Sequence, residues 1–233
     1  MESAHHALVP IDLFGINLDI TLPIVIMWGA MLAVFILLFL ATRIKMLRLI
    51  EEMLYEFFAE QLNQLLVTKN KIWFTFIISL FLFVLFNNLA GLIPGSEAPT
   101  SNINVTAALA ILVFLVSQVM GLYFHGLKHF KNILIPPGIP KVLIVVMVPI
   151  EFMSQLTRPF SLALRLFANM FAGHTVLLVF LGFTIALAPF LKPLPFVGSV
   201  ILSMFEIFVS VIQAFIFAYL AAFYISDTVK GSH

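Results

Sequence analysis

Residues 142–191 read VLIVVMVPIEFMSQLTRPFSLALRLFANMFAGHTVLLVFLGFTIALAPFL, an apolar stretch whose only formal charges are Glu151, Arg158 and Arg165. As one helix it would extend about 75 Å at 1.5 Å per residue, far beyond the ~30 Å hydrocarbon core of a bilayer. Two arrangements fit: a hairpin, or one long tilted helix kinked at Pro149 and Pro159. The polar residues bear on the choice. Glu151, Ser154, Arg158, Ser161, Arg165 and Asn169 are separated by 3, 4, 3, 4 and 4 residues, which on a helix makes one continuous polar face. That spacing favours the single helix over a turn at Pro159.

The rest of the chain agrees with a membrane setting. Of 233 residues, 62% are apolar and 10% charged, whereas soluble domains run nearer 45–50% and about 25%. A water-soluble domain is excluded, and an all-α integral membrane protein is expected. A net charge of +1 is too balanced for a nucleic-acid partner. Without cysteine there is no disulfide framework, Cys-ligated metal site or thiol nucleophile. Met1 to Pro10 has no basic run and carries Glu2, so it does not read as a cleaved signal peptide.

Gaps between charges mark the spans. Residues 20–42, 72–96 and 98–127 are uncharged, and Pro193–Ser226 is apolar apart from Glu206. Orientation follows from lysine and arginine. Arg43, Lys45, Arg48, Lys69 and Lys71 separate the first two spans, and Lys128, Lys131 and Lys141 follow the third, while the loop Pro94–Ile103 has no basic residue. The basic segments therefore read as cytoplasmic and the N-terminus as outside. If Val142–Leu191 crosses once, Lys192 is outside, Lys230 is inside and the chain has about five transmembrane helices.

Residues 44–66 do not read as a span. Lys45, Arg48, Glu52, Glu56 and Glu60 recur every three or four residues, opposite Leu47, Ile50, Leu54, Phe57, Phe58 and Leu62. This is the pattern of an amphipathic helix on the inner membrane surface. A Pro-rich turn at Ile135–Pro140 precedes the second half. The expected organisation is an outside segment 1–19, a span 20–42, a cytoplasmic amphipathic helix within 43–71, two spans and a cytoplasmic loop in 72–141, and a helical unit with its tail in 142–233.

The intramembrane charges need a reason. Each costs about 2.5–3.5 kcal/mol at a helix centre on insertion scales. Arg158 fits a structural ion pair or a snorkelling position, and Glu151, ten residues from Lys141, fits a shallow site. Arg165 fits neither, with Leu164, Leu166 and Phe167 beside it and apolar sequence beyond. A polar face in a membrane must look at protein or water. Glu206 and Gln213 form a second polar stripe on the last helix. His174 lies nine residues after Arg165, about 180° round the helix at 100° per residue, and points elsewhere. An acid and a histidine on neighbouring helices suit a proton path as well as they suit helix packing.

The run Ser161-Leu-Ala-Leu-Arg165-Leu-Phe-Ala-Asn169-Met-Phe-Ala-Gly-His174 resembles subunit a of the F-type rotary ATP synthase, the membrane stator beside the c-ring. Pro149-Ile-Glu151, Arg158-Pro159, the Gln213-Ala-Phe-Ile-Phe run and Ala98-Pro-Thr-Ser-Asn-Ile-Asn-Val-Thr106 agree with it. The resemblance covers roughly residues 70–226, and the N-terminal third matches in layout only. It implies that Arg165 faces the c-ring carboxylate, with Asn169 and Gln213 as polar neighbours. It implies that His174 and Glu206 form the acid–histidine pair of the half-channel open to the outside, and that Glu151 belongs to the cytoplasmic one. It further implies a long tilted hairpin of Val142–Leu191 and Pro193–Ser226 against the rotor, peripheral-stalk b subunits as partners besides the c-ring and the lipid bilayer, residence in the bacterial plasma membrane, and a non-catalytic role with no cofactor.

Other functions fit less well. A secondary transporter typically shows repeats and broken helices, and no internal symmetry is visible. An intramembrane enzyme would need a nucleophile–base or metal constellation, but no HExxH occurs and His5-His6 sits at a terminus. Gly121 to Lys128 lacks the GK[ST] ending of a phosphate loop. A structural membrane scaffold is the stronger rival outside transport. Within the family, a Na⁺-coupled version is the alternative, and the acid–histidine pair inclines the reading to H⁺.

Overall fold

In the computed structural model the described residues are 12–13, 16–17, 21–65, 71–93, 96, 98–126, 129 and 141–230. Apart from a short antiparallel pairing of Asp12–Leu13 with Ile16–Asn17, the regular structure among them is helical. The helices are α1 (Leu22–Ala41), α2 (Lys45–Leu65), α3 (Lys71–Ala90), α4 (Ile103–His125), α5 (Lys141–Ala186) and α6 (Pro193–Lys230), with a 3-10 turn at Pro99–Ser101 before α4. All but α2 are long and apolar enough to cross a membrane. Lys69, Lys128, Lys131, the turn Ile135–Pro140 and most of segment 1–19 lie outside the described residues.

Local chemistry sets the helix ends. α1 starts after extended Thr21 with proline in its first turn, where a missing N–H costs nothing. It stops at Thr42, whose hydroxyl donates to the Phe39 carbonyl at 2.7 Å. Asn102 caps α4, its side-chain oxygen accepting from the Asn104 N–H at 2.9 Å. Gly126 ends that helix with φ of 59°, a conformation open to a residue without Cβ.

The stretch 142–191 crosses as one helix, ending at Ala186, and not as a hairpin. α5 runs 46 residues through Pro149 and Pro159 and spans about 69 Å. α6 adds 38 residues and packs against α5, α3 and α4. The contact surface of α6 is small: Ala214, Ala218, Ala221 and Ala222 are buried with Phe217 and Ile225, and small residues let helices approach closely where lipid offers no hydrophobic drive. Against them lie Ile77, Phe81 and Val84 of α3, Val113 of α4, and Leu162, Leu166 and Met170 of α5.

The amphipathic α2 docks by one end. Phe58 and Leu62 are buried, with Phe58 against Phe81 at 4.9 Å between ring centres. Met46, Leu49, Ile50, Met53 and Phe57 stay exposed. Thus the apolar face read from the sequence is only partly used within the chain.

Candidate functional site

The polar face of α5 divides once folded. Glu151 is half-buried and accepts a hydrogen bond from Gln155 Nε2 at 3.3 Å. Arg158 turns into the bundle, its Nη1 donating to Asp227 Oδ2 of α6 at 2.7 Å, with the guanidinium carbon 5.6 Å from the centre of the Tyr224 ring. Arg165 goes the other way. It is exposed on the outer face beside exposed Ala168 and half-buried Asn169, with no hydrogen bond or ion pair among the described residues. An arginine open to hydrocarbon carries the insertion cost given above, so this face favours protein or water over it.

His174 and Glu206 come together on the inner side of the hairpin. A Cβ placed on Gly173 would lie 3.0 Å from Glu206 Oε1, and one on Gly91 would lie 2.7 Å from His174 Nε2 and 2.5 Å from Ala98 Cβ. Gly91 is needed for space, letting the turn after α3 close over the imidazole, while Gly173 lets the buried Glu206 approach α5 closely. Glu206 and His174 are near enough to interact electrostatically.

The same contacts set the hairpin register. Gly173 lies level with Glu206. Eight residues along α5 reach Arg165, and seven along α6 reach Gln213. In antiparallel helices of equal rise these two positions stand at nearly the same depth. Gln213 is half-buried and Asn169 lies one turn from Arg165.

Several polar residues join this set that the sequence reading did not single out. On α6, Ser199, Ser203 and Ser210 extend the stripe of Glu206 and Gln213 at alternating steps of 4, 3, 4 and 3, a spacing visible in the sequence. From α3, Asn88 Nδ2 donates to the Ser210 carbonyl at 3.4 Å and Asn88 Oδ1 accepts from Thr100 Oγ1 at 2.6 Å. Among the described residues, Asn87 Oδ1, His174 Nε2 and Ser210 Oγ are buried without a protein hydrogen-bond partner. Buried polar atoms of this kind are ordinarily met by water.

Two cavities flank Arg165 along α5. One, of about 180 Å³, is lined by His174, Ser199, Ser203, Ser96, Gly91 and apolar residues including Leu177, and has room for several waters at the ~10–15 Å³ each needs. The other, of about 10 Å³, is lined by Gln155, Arg158, Tyr224, Thr228, Ser117 and neighbours. Away from both, His125 Nε2 lies 3.0 Å from the Val229 carbonyl oxygen and His129 Nε2 lies 3.1 Å from Gln118 Oε1. Burial first, then the nearby His125, holds the His129 imidazole below its usual range, which leaves it neutral near pH 7.

Fold and site together define a multi-span helical membrane protein that carries charged and titratable side chains within its spans. The sequence model of the family described as ATP synthase A chain matches residues 24–226. Relatives called ATP synthase subunit a are similar over nearly the whole chain. The one from Magnetococcus marinus is 39% identical, with 97% of this chain and 92% of the relative covered. The one from Agrobacterium fabrum is 39% identical (97% and 95% covered), and that from Mesorhizobium japonicum 40% (97% and 94% covered). The chain belongs to the ATP synthase A chain family.

Proposed function

We propose that this chain is the ion-conducting stator subunit of a rotary ATP synthase, passing protons to and from carboxylates of a c-ring through two offset half-channels. The observation that carries the reading is Arg165 itself, exposed on a membrane helix and unpaired among the described residues, with a cavity bearing some polar side chains on α5 to either side of it. Arginine stays protonated when desolvated, so a fixed positive charge divides the two paths. It favours the ionised form of a passing carboxylate, which must release its proton near Arg165, while the arginine itself neither carries protons nor lets them pass. Asn169 and Gln213 line the stator surface at its depth.

The outer path runs through the larger cavity to His174 and Glu206, a histidine and a carboxylate suited to relaying protons at ordinary pH. The unpartnered atoms of Ser210 and Asn87 support hydration on this side. Glu151 serves the inner path. The driving term is about 2.3 kcal/mol per charge per 100 mV, harvested as rotation of the ring with no bond chemistry on this chain. The membrane is the bacterial plasma membrane, α2 lies on its cytoplasmic surface, and b subunits of the peripheral stalk join the c-ring as partners. In the structure of an assembled complex, Arg165 is expected opposite the ring carboxylate. A ring seated on a face that omits Arg165 overturns the reading.

Orientation has its own test, helped by the absence of native cysteine. Cysteines introduced at Asn102 and Lys192 are expected to react with an impermeant reagent from outside, and those at Lys69, Lys131 and Lys230 from inside. Labelling of position 192 from inside together with 230 from outside would reverse the hairpin.

A further inference from the structure

Arg158 is a second fixed positive charge, seven residues before Arg165 on the same helix and thus about 10 Å away along its axis. It stands between Glu151 and Arg165, on the stretch of α5 where protons using the inner path must travel. A bare guanidinium there would act as Arg165 is proposed to act, as a barrier to cations. It is not bare. Asp227 meets it at 2.7 Å, both side chains are about 30% exposed (28% and 31%), and Arg158 borders the small cavity lined also by Gln155, Tyr224 and Thr228.

We propose that Asp227 is a positioning residue of the inner path: it holds Arg158 against α6 and cancels its charge, so that, among the described residues, Arg165 is the one uncompensated cation facing the moving protons. The inference rests on the half-channel reading above and goes beyond it by giving Asp227 an electrostatic task in conduction. The rival account makes the pair a mere brace between α5 and α6. The two differ in symmetry. A brace fails whichever partner is removed, whereas charge cancellation fails only when the arginine is left without its acid.

The test uses intact complexes in sealed vesicles, with ATP-driven proton pumping normalised to the amount of complex that retains its c-ring. Asp227→Asn is expected to lower flux about tenfold, the effect of an unscreened unit charge at this range. That deficit is expected to shrink when salt is raised on the cytoplasmic side, because the pair is partly exposed. Arg158→Gln, and the double variant Arg158→Gln with Asp227→Asn, are expected to pump at least as fast as the parent. If Asp227→Asn does not assemble, Arg158→Gln alone still decides, since a brace predicts loss there and charge cancellation does not. Equal loss in both single variants, no loss in Asp227→Asn, or a deficit indifferent to salt overturns the proposal. Glu151→Gln, measured in parallel, separates the levels. Loss there with symmetrical loss at the pair overturns charge cancellation alone, and no effect at Glu151 overturns the inner-path reading together with it.

Discussion

Complexes carrying Arg165→Ala are expected neither to pump protons with ATP nor to synthesise ATP, and to leak protons passively. On the stator reading, alanine removes both the charge that favours an ionised ring carboxylate and the barrier between the two paths. The size of the loss follows from Coulomb's law. An arginine about 4 Å from a carboxylate at an effective dielectric near 20 is worth about 4 kcal/mol, roughly a thousandfold in rate if all of it is forfeited. Arg165→Lys is expected to fail at coupled transport as well, although the formal charge is kept. A lysine whose carboxylate partner moves away into an apolar setting loses its proton readily and lacks the planar fork of arginine.

The control is Arg158→Lys. Lysine there can still pair with Asp227, and this variant is expected to pump within a few-fold of the parent, since a partly exposed pair that survives in altered form changes little. ATP-driven pumping in assembled complexes decides between the arginines. If Arg165→Lys pumps near the parent rate while Arg158→Lys does not, the stator charge belongs at position 158.

Much of this arrangement is legible in the sequence because a bilayer imposes simple constraints. Uncharged runs longer than a hydrocarbon core announce helices, and a charge inside such a run announces an exception; α1, α3 and α4 and the oddity of Arg165 are legible on those grounds. The 3-and-4 spacing from Glu151 to Asn169 also favours α5 as one helix. What stays hidden depends on register between distant segments. Arg158 and Asp227 are 69 positions apart, and nothing local to either residue names the other. The apolar run ends at Ser226, whereas α6 continues to Lys230 and carries Asp227 into reach. Gly91 and Gly173 are silent as sequence, because their importance lies in what a Cβ there would strike. Asn88 and Thr100 read as ordinary polar residues near a span end, and only the packing of α3 on α6 brings Asn88 to Ser210. The exposed Ile50 and Phe57 show the converse limit: periodicity identifies an apolar face and leaves open what covers it.

Single substitutions of the histidine and the acid, such as His174→Ala and Glu206→Ala, are each expected to lower proton flux by tenfold or more, within the ~10²–10⁴-fold range of positioned acid–base groups. Exchanging the two, His174→Glu with Glu206→His, is expected to recover part of the loss. From the helical rise, Glu206 lies about 10 Å along α6 from Gln213 and His174 about 13 Å along α5 from Arg165, so with Gln213 and Arg165 level in depth the two titratable groups share one layer. A relay needs one carboxylate and one imidazole in that layer, and the exchange preserves both. Geometry limits the recovery. An imidazole at position 206 must settle against Gly173, where the present carboxylate oxygen already lies 3.0 Å from the site of a Cβ. A carboxylate at 174 has an easier fit, with the larger cavity beside it. Packing alone makes the opposite forecast: if His174 serves only to fill space beneath Gly91, and Glu206 only to pair across the hairpin, two misfits accumulate. An exchange variant no better than the worse single variant, in complexes that keep their ring, would show two independent packing roles and no shared relay.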